Sequence, residues 1–361
     1  MTTTHQLFTD AEFKTMQDQG YVRVNVHPDD SELFILNYTE KAAYEGVWNN
    51  VTLNCRGLII DAGNWIVARP FPKFFNYGQV GCPEIDLDEP AIVSDKMDGS
   101  LGILYRERDS GKYAIATRGS FTSDQAIHAT ELLRTKYANF KPTDSNYTML
   151  FEIIYPENRI VCNYENMDDL VFLGAVNIAS GFTFHPGIAK DLGWRGPVTE
   201  EFSYRTMREA LTAEPRAGKE GFVVHFLRSD TRVKIKQEDY IALHRIVTGL
   251  NARSVWEAML TDSVDELIEK IPDEFHDFIR GVEHDLKNEL KPKLAEVLVE
   301  FQEIRMSGAT TDKEFAVKAL NSKNKTLLLM IMNKNDVIKH MLYRLKPRHD
   351  YSPVKVSNDA D

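Results

Sequence analysis

The feature that most constrains the fold is a change of hydrophobic period near residues 244–251. Upstream, apolar residues alternate or form short continuous runs, as β-strands require. Beyond about residue 241 they recur at helical spacing and strand signals stop. A strand-rich body and a helical region each need a core of their own, and 361 residues suffice for both. The expected class is α+β, with antiparallel sheets over residues 1–245, an all-helical domain over 246–350, and a disordered tail at 351–361.

Charge and cysteine usage narrow the possibilities. A net charge of −11 leaves no global basic field, so any polyanion site is a local patch. Residues 313–348 offer one, with nine Lys or Arg against Glu314 and Asp336. Such a run equally suits a solvated face. Cys55, Cys82 and Cys162 show no metal-type spacing and fit free thiols in a reducing compartment. No apolar run is long enough to span a bilayer, and residues 1–10 have no signal-peptide character. A soluble cytoplasmic protein with no membrane partner is expected.

Along the body, Thr9 caps a helix over 10–19 that Gly20 stops, and strands follow at 21–26 and 33–38. Residues 54–61 and 65–70 suggest a hairpin through Ala62-Gly63-Asn64. Phe71, Phe74, Phe75 and Tyr77 surround Lys73, as core or as a cation beside aromatic faces. Residues 147–155 form an apolar strand with Glu152 at its centre, a carboxylate that burial obliges to find a partner, structural or functional. Residues 220–226 and 232–236 read as a hairpin, with Lys234 and Lys236 on one face beside Glu220. Later helices are expected at 255–260, 264–271, 274–304, 312–320 and 326–345.

Lys96 stands out among these. It closes an apolar run and opens an Asp98-Gly99-Ser100 turn that leads into a second apolar run at 101–105. Taken alone, a strand, turn and strand of this kind suits a hairpin with a solvated lysine as well as a buried nucleophile of lowered pKa.

The order of motifs weighs for the nucleophile. Lys-x-Asp-Gly-Ser at Lys96, Arg118-Gly119-Ser120, Glu152 in its strand, Glu220-Gly221, and Lys234-Ile235-Lys236 follow one another as in the covalent nucleotidyltransferases. Within that superfamily of ATP-dependent ligases and capping enzymes, the chain most resembles the RNA ligase 1 family of bacteriophages. Cys55-Arg56-Gly57, Arg69-Pro70, Lys73-Phe74-Phe75-Asn76, Asn158-Arg159-Ile160-Val161, Tyr240 and Leu243-His244 add to the match. The resemblance spans about residues 50–245. It departs at Arg118, where the family has lysine, and at Met97, where it has an acidic residue.

The resemblance implies an ATP-grasp-like nucleotidyltransferase domain around an ATP cleft. Lys96 would take AMP from ATP as a lysyl-AMP, pass it to an RNA 5′-phosphate, and release it when a 3′-hydroxyl attacks. Lys234 and Lys236 would contact the α-phosphate, and Arg56 and Lys73 the outer phosphates or the RNA 5′-phosphate. Glu152 would meet the ribose, Glu220 the lysine and a Mg²⁺ or Mn²⁺ ion, and Arg118, Phe75 and Tyr240 would border the nucleotide. RNA ends, cleaved tRNA among them, are the implied partners, with a monomer in the cytoplasm, or in the host cytoplasm if a phage encodes it. A DNA ligase or capping guanylyltransferase is the alternative within the fold, and a non-catalytic RNA-end-binding protein the alternative outside it.

Overall fold

A computed structural model of the chain describes residues 2–269, 271 and 275–347; the expected tail at 351–361 lies outside them. These residues fall into two compact units, one running to Ala242 and one beginning at Leu243.

The first unit opens with helix α1 (Asp10–Asp18), started by a capping box in which Thr9 and Glu12 each bond the other's backbone N–H. Strands β1 (Val22–His27) and β2 (Asp30–Tyr38) and short helices α2 (Glu40–Glu45) and α3 (Asn50–Asn54) follow. Next come β3 (Arg56–Asp61), β4 (Ile66–Ala68), β5 (Phe75–Asn76), β6 (Ala91–Lys96), β7 (Ser100–Arg106) and β8 (Tyr113–Ala116). Helix α4 (Asp124–Thr135) precedes β9 (Tyr147–Ile154), β10 (Asp169–Asn177) and β11 (Thr183–Phe184). Helix α5 (Met207–Leu211) and the hairpin of β12 (Gly221–Phe226) and β13 (Arg232–Lys236) complete the strand-rich part.

Three sheets result, ordered β1-β2-β3-β4, β11-β10-β9-β7-β8 and β5-β13-β12-β6. Pairing is antiparallel except for the two-residue contact of β5 with β13. The first two sheets pack face to face. Leu33, Ile35 and Ile59 from one meet Ile103, Leu150 and Val176 from the other. The alternate residues of the same strands turn outward into other layers. Leu58 and Ile60 pack with Val51 of α3, and Met149, Phe151 and Ile153 pack with α4 and Trp194. Strand β9 is therefore buried on both faces, which is why its sequence is almost continuously apolar.

Helix α6 (Glu238–Gly249) crosses the division between units. The second unit continues with α7 (Ala252–Leu260), α8 (Val264–Glu269), α9 (His276–Met306), α10 (Asp312–Ala319), α11 (Lys325–Met332) and α12 (Val337–Arg344). The single helix expected over 326–345 is thus two. Lys334 adopts a left-handed φ of 58°, and Asp336 then caps α12 by accepting the N–H of Lys339 at 2.8 Å. The apolar period continues across this break, so the period alone hid it.

Candidate active site

The third sheet brings the motifs together. Gly221, the first residue of β12, lies in register with Lys96 at the end of β6 and with Lys236 at the end of β13. Its φ is +151°, and a Cβ there would sit 1.9 Å from the Ile235 carbonyl oxygen, so only glycine fits. Glu220 directly precedes it. One carboxylate oxygen lies 2.8 Å from Lys96 Nζ and the other 2.9 Å from Lys236 Nζ. Glu220 is only 2% exposed, so the pairing offsets the cost of burying its charge.

The residues after Lys96 do not form a hairpin. Strand β6 belongs to the third sheet and β7 to the second, so residues 97–99 carry the chain from one sheet to the other. The Gly99 N–H donates to Glu152 Oε1 at 2.9 Å, and a Cβ on Gly99 would approach the Ile153 carbonyl oxygen to 2.7 Å. Glu152 is thereby held beside the Lys96 turn.

Asp98 organises the other flank. Its carboxylate accepts the N–H groups of Val161 and Cys162, at 2.9 and 2.8 Å, and the Tyr240 hydroxyl at 2.8 Å. The Asp98 N–H donates to the Tyr164 hydroxyl at 2.8 Å. Lys236 Nζ lies 5.4 Å from the Tyr240 ring centroid, over its face. Burial, reinforced by the charges of Glu220 and Asp98, pushes the Tyr240 hydroxyl well above its usual pKa and keeps it a donor. Burial likewise raises Cys162, which stays a thiol.

The remaining cations sit on aromatic faces. Phe74 lies 5.0 Å from Lys234 Nζ and 5.4 Å from the Arg56 guanidinium. Lys73 Nζ lies 5.5 Å from the rings of Tyr38 and Trp48 and 5.7 Å from Phe75. Of the four aromatics near Lys73 in sequence, only Phe75 is among these ring contacts, joined by Tyr38 and Trp48 from the first sheet and the loop after α2. Arg118 donates to the Tyr38 hydroxyl at 2.9 Å. The backbone of Arg118, in the loop after β8, packs against Gly57 of β3, whose φ is +86° and whose missing side chain permits that approach.

Direct contacts therefore gather Lys96, Glu220, Lys236, Tyr240 and, through Gly99, Glu152. Arg56 and Lys234 meet on Phe74, Lys73 and Arg118 both lie on Tyr38, and Phe75 joins them through Lys73 and Trp48. Sequence reading missed Asp98, Tyr38, Trp48 and Tyr164. Asp98 lay within a quoted motif and its carboxylate was a usable signal; the other three carried none. Buried cations in this number suit a polyphosphate, and an amine ion-paired within them suits attack on phosphorus once it is neutral. Among the described residues, no group of three or more His, Cys, Asp or Glu converges as a metal cage. Glu220 remains a carboxylate donor at the amine, which fits an ion held largely by phosphate oxygens and water.

Comparison with known proteins bears on this arrangement. The profile of a family described as RNA ligase matches residues 54–240, just over half of the chain. An RNA ligase of Rhodothermus phage RM378 is 23% identical over 349 residues, covering 75% of this chain and 78% of that protein. A putative bifunctional polynucleotide kinase/RNA ligase of Autographa californica nuclear polyhedrosis virus is 25% identical, covering 66% of this chain and 37% of its own. A putative RNA ligase of Thermovibrio ammonificans is 29% identical, covering 52% and 51%. The chain thus spans about half or less of the last two.

Proposed function

Because the chain belongs to the RNA ligase family, we infer that it is an ATP-dependent RNA ligase that joins 5′-phosphate to 3′-hydroxyl ends through an adenylylated Lys96. The observation that carries the reading is the buried Lys96 amine, held by Glu220 at the meeting point of three strands. Lys96 first loses its ammonium proton. Its Nζ then bonds to the α-phosphorus of ATP as the bond to the pyrophosphate oxygen breaks, pyrophosphate leaving with the electron pair. The nitrogen sheds a second proton to give the phosphoramidate. An RNA 5′-phosphate oxygen next displaces lysine from that phosphorus, and lysine regains its protons. Finally a 3′-hydroxyl attacks the activated 5′-phosphate and AMP departs. Each step requires in-line geometry and neutralisation of spreading negative charge.

The roles divide by position. Lys234 and Lys236 take the α-phosphate, and Arg56 and Lys73 take the outer phosphates or the RNA 5′-phosphate. Glu152 accepts from the ribose hydroxyls. Arg118, Phe75 and Tyr240 border the nucleotide. A divalent ion, Mg²⁺ or Mn²⁺, would neutralise phosphate charge, with Glu220 as its protein carboxylate. The helical unit, basic over 313–348, contacts the RNA backbone, and a broken tRNA stem-loop is the candidate substrate.

The test is incubation with ATP labelled at the α-phosphate, followed by addition of 5′-phosphorylated single-stranded RNA, a broken tRNA stem-loop, and matching DNA. Label on the protein, lost in Lys96→Ala, and sealing of RNA in preference to DNA are expected. Persisting label in Lys96→Ala would remove Lys96 from the mechanism. Preferred sealing of DNA would make the protein a DNA ligase.

A further inference from the structure

We propose that Arg216 is a positioning residue for the first chemical step, acting on Glu220 and Lys96 from the opposite face of the third sheet. The proposal rests on the ligase reading and adds a residue outside the nucleotide site.

Arg216 lies on the loop between α5 and β12. Its Nη2 donates to the Gly221 carbonyl at 2.5 Å and lies 2.8 Å from Asp95 Oδ1. Gly221 and Asp95 each adjoin a site residue, Glu220 and Lys96 respectively. Because side chains alternate along a strand, Asp95 points away from the face that Lys96 occupies. Phe222, in register with Asp95, turns to that same rear face. The Arg216 guanidinium lies there against both Phe222, at 4.3 Å, and Phe202, at 4.6 Å, two rings that meet edge to face with centroids 5.3 Å apart. The guanidinium is thus held in the corner of two rings while its Nη2 ties the end of β6 to the start of β12.

The same loop grips Glu220 through the backbone. Gln237, which follows Lys236, accepts the Arg216 N–H at 2.8 Å and donates its own N–H to the Glu220 carbonyl at 3.0 Å. Lys219 adds a second cation 3.8 Å from Asp95. The consequence follows from the strained start of β12. The φ of +151° at Gly221 directs its carbonyl to Arg216 and leaves the Glu220 carboxylate between Lys96 and Lys236. Without the guanidinium, the Gly221 carbonyl loses its charged donor, Asp95 loses its closest cation, and the chain at Glu220 is freed to shift. A shift of about 1 Å at reacting groups can cost on the order of 10²-fold in rate.

The experiment is single-turnover formation of the lysyl-AMP adduct by the full chain, recording rate constant, amplitude and half-saturating ATP. Arg216→Ala is expected to slow the rate constant by roughly 10- to 100-fold. Amplitude and half-saturating ATP should remain near wild type, because Arg216 lies on the face away from the nucleotide residues. Arg216→Lys keeps the charge on a shorter side chain and loses the planar packing against the two rings, and should fall between. An unchanged rate constant in Arg216→Ala overturns the proposal. So does a loss carried wholly by half-saturating ATP, which means nucleotide contact. If Arg216→Ala does not fold, Arg216→Lys decides, and a wild-type rate constant there refutes the role. A wild-type chain that forms no adduct refutes the ligase reading and this inference with it. A labelled wild type with unaltered Arg216 variants refutes this inference alone.

Discussion

Lys96 and Lys236 meet across one carboxylate: they end the two strands that flank β12, and Glu220 offers a separate oxygen to each. Two lysines that converge in this way are tolerable because the anion sits between them. That relationship makes Glu220 the most sensitive charge in the site. Glu220→Gln keeps the shape and removes the charge. It should slow adenylylation of Lys96 by roughly 10²-fold and lower stability by about 3 kcal/mol, read by adduct formation and urea unfolding. Full activity in that variant would show that the carboxylate is a structural tie only.

Gly221→Ala tests whether the register at this point is as tight as the geometry implies. The new methyl would lie 1.9 Å from a backbone oxygen, where no rotamer can relieve it. A loss of about 3 kcal/mol or more is expected, together with loss of adduct formation. A variant with the wild-type unfolding midpoint would mean that β12 can shift away from β13.

Tyr240→Phe isolates one hydrogen bond. It removes the 2.8 Å bond from the hydroxyl to Asp98 and leaves the ring beneath Lys236. A stability cost of about 1 kcal/mol is expected. Tyr240→Ala removes the ring as well and should lose more activity than Tyr240→Phe. Equal activities of the two variants would show that the ring contributes nothing at the site.

His225 gives the first unit an acid-sensitive point. It is buried at the turn end of the β12–β13 hairpin, with Nε2 2.8 Å from Asp230 and Nδ1 3.3 Å from Arg232. Burial lowers its pKa below the ordinary 6.5, against the opposing pull of the Asp230 hydrogen bond. The unfolded chain therefore binds the proton more readily. The contribution to stability is present above pH 6.5 and is lost as pH falls through the lowered folded value. Asp230, itself lowered from 3.8, adds a further loss at lower pH. Unfolding midpoints should fall as pH drops below 6.5, and His225→Gln should flatten that slope. A wild-type curve already flat there would exclude His225 as the sensor.

Much of this was legible locally. The Thr9 cap, the β3–β4 and β12–β13 hairpins, the buried strand around Glu152 and the passage to helices all follow from periods and turn residues acting over a few positions. The same local signals missed α2, α3 and the break between α11 and α12, where a few residues settle the matter without altering the apolar spacing. Among the site residues, the lysines and glutamates were visible because charge inside an apolar run has an evident cost.

The sequence by itself determined most of the longer strands and helices and marked Glu152 as a charge that burial obliges to find a partner, since those follow from neighbours in the chain. Only the tertiary structure decided that β6 and β7 belong to different sheets, that Glu220 lies between Lys96 and Lys236, and that Tyr38 and Trp48 flank Lys73. Those outcomes depend on strand register and on which layers pack together. Both are set by the simultaneous fit of segments distant in sequence, and no short window carries that information.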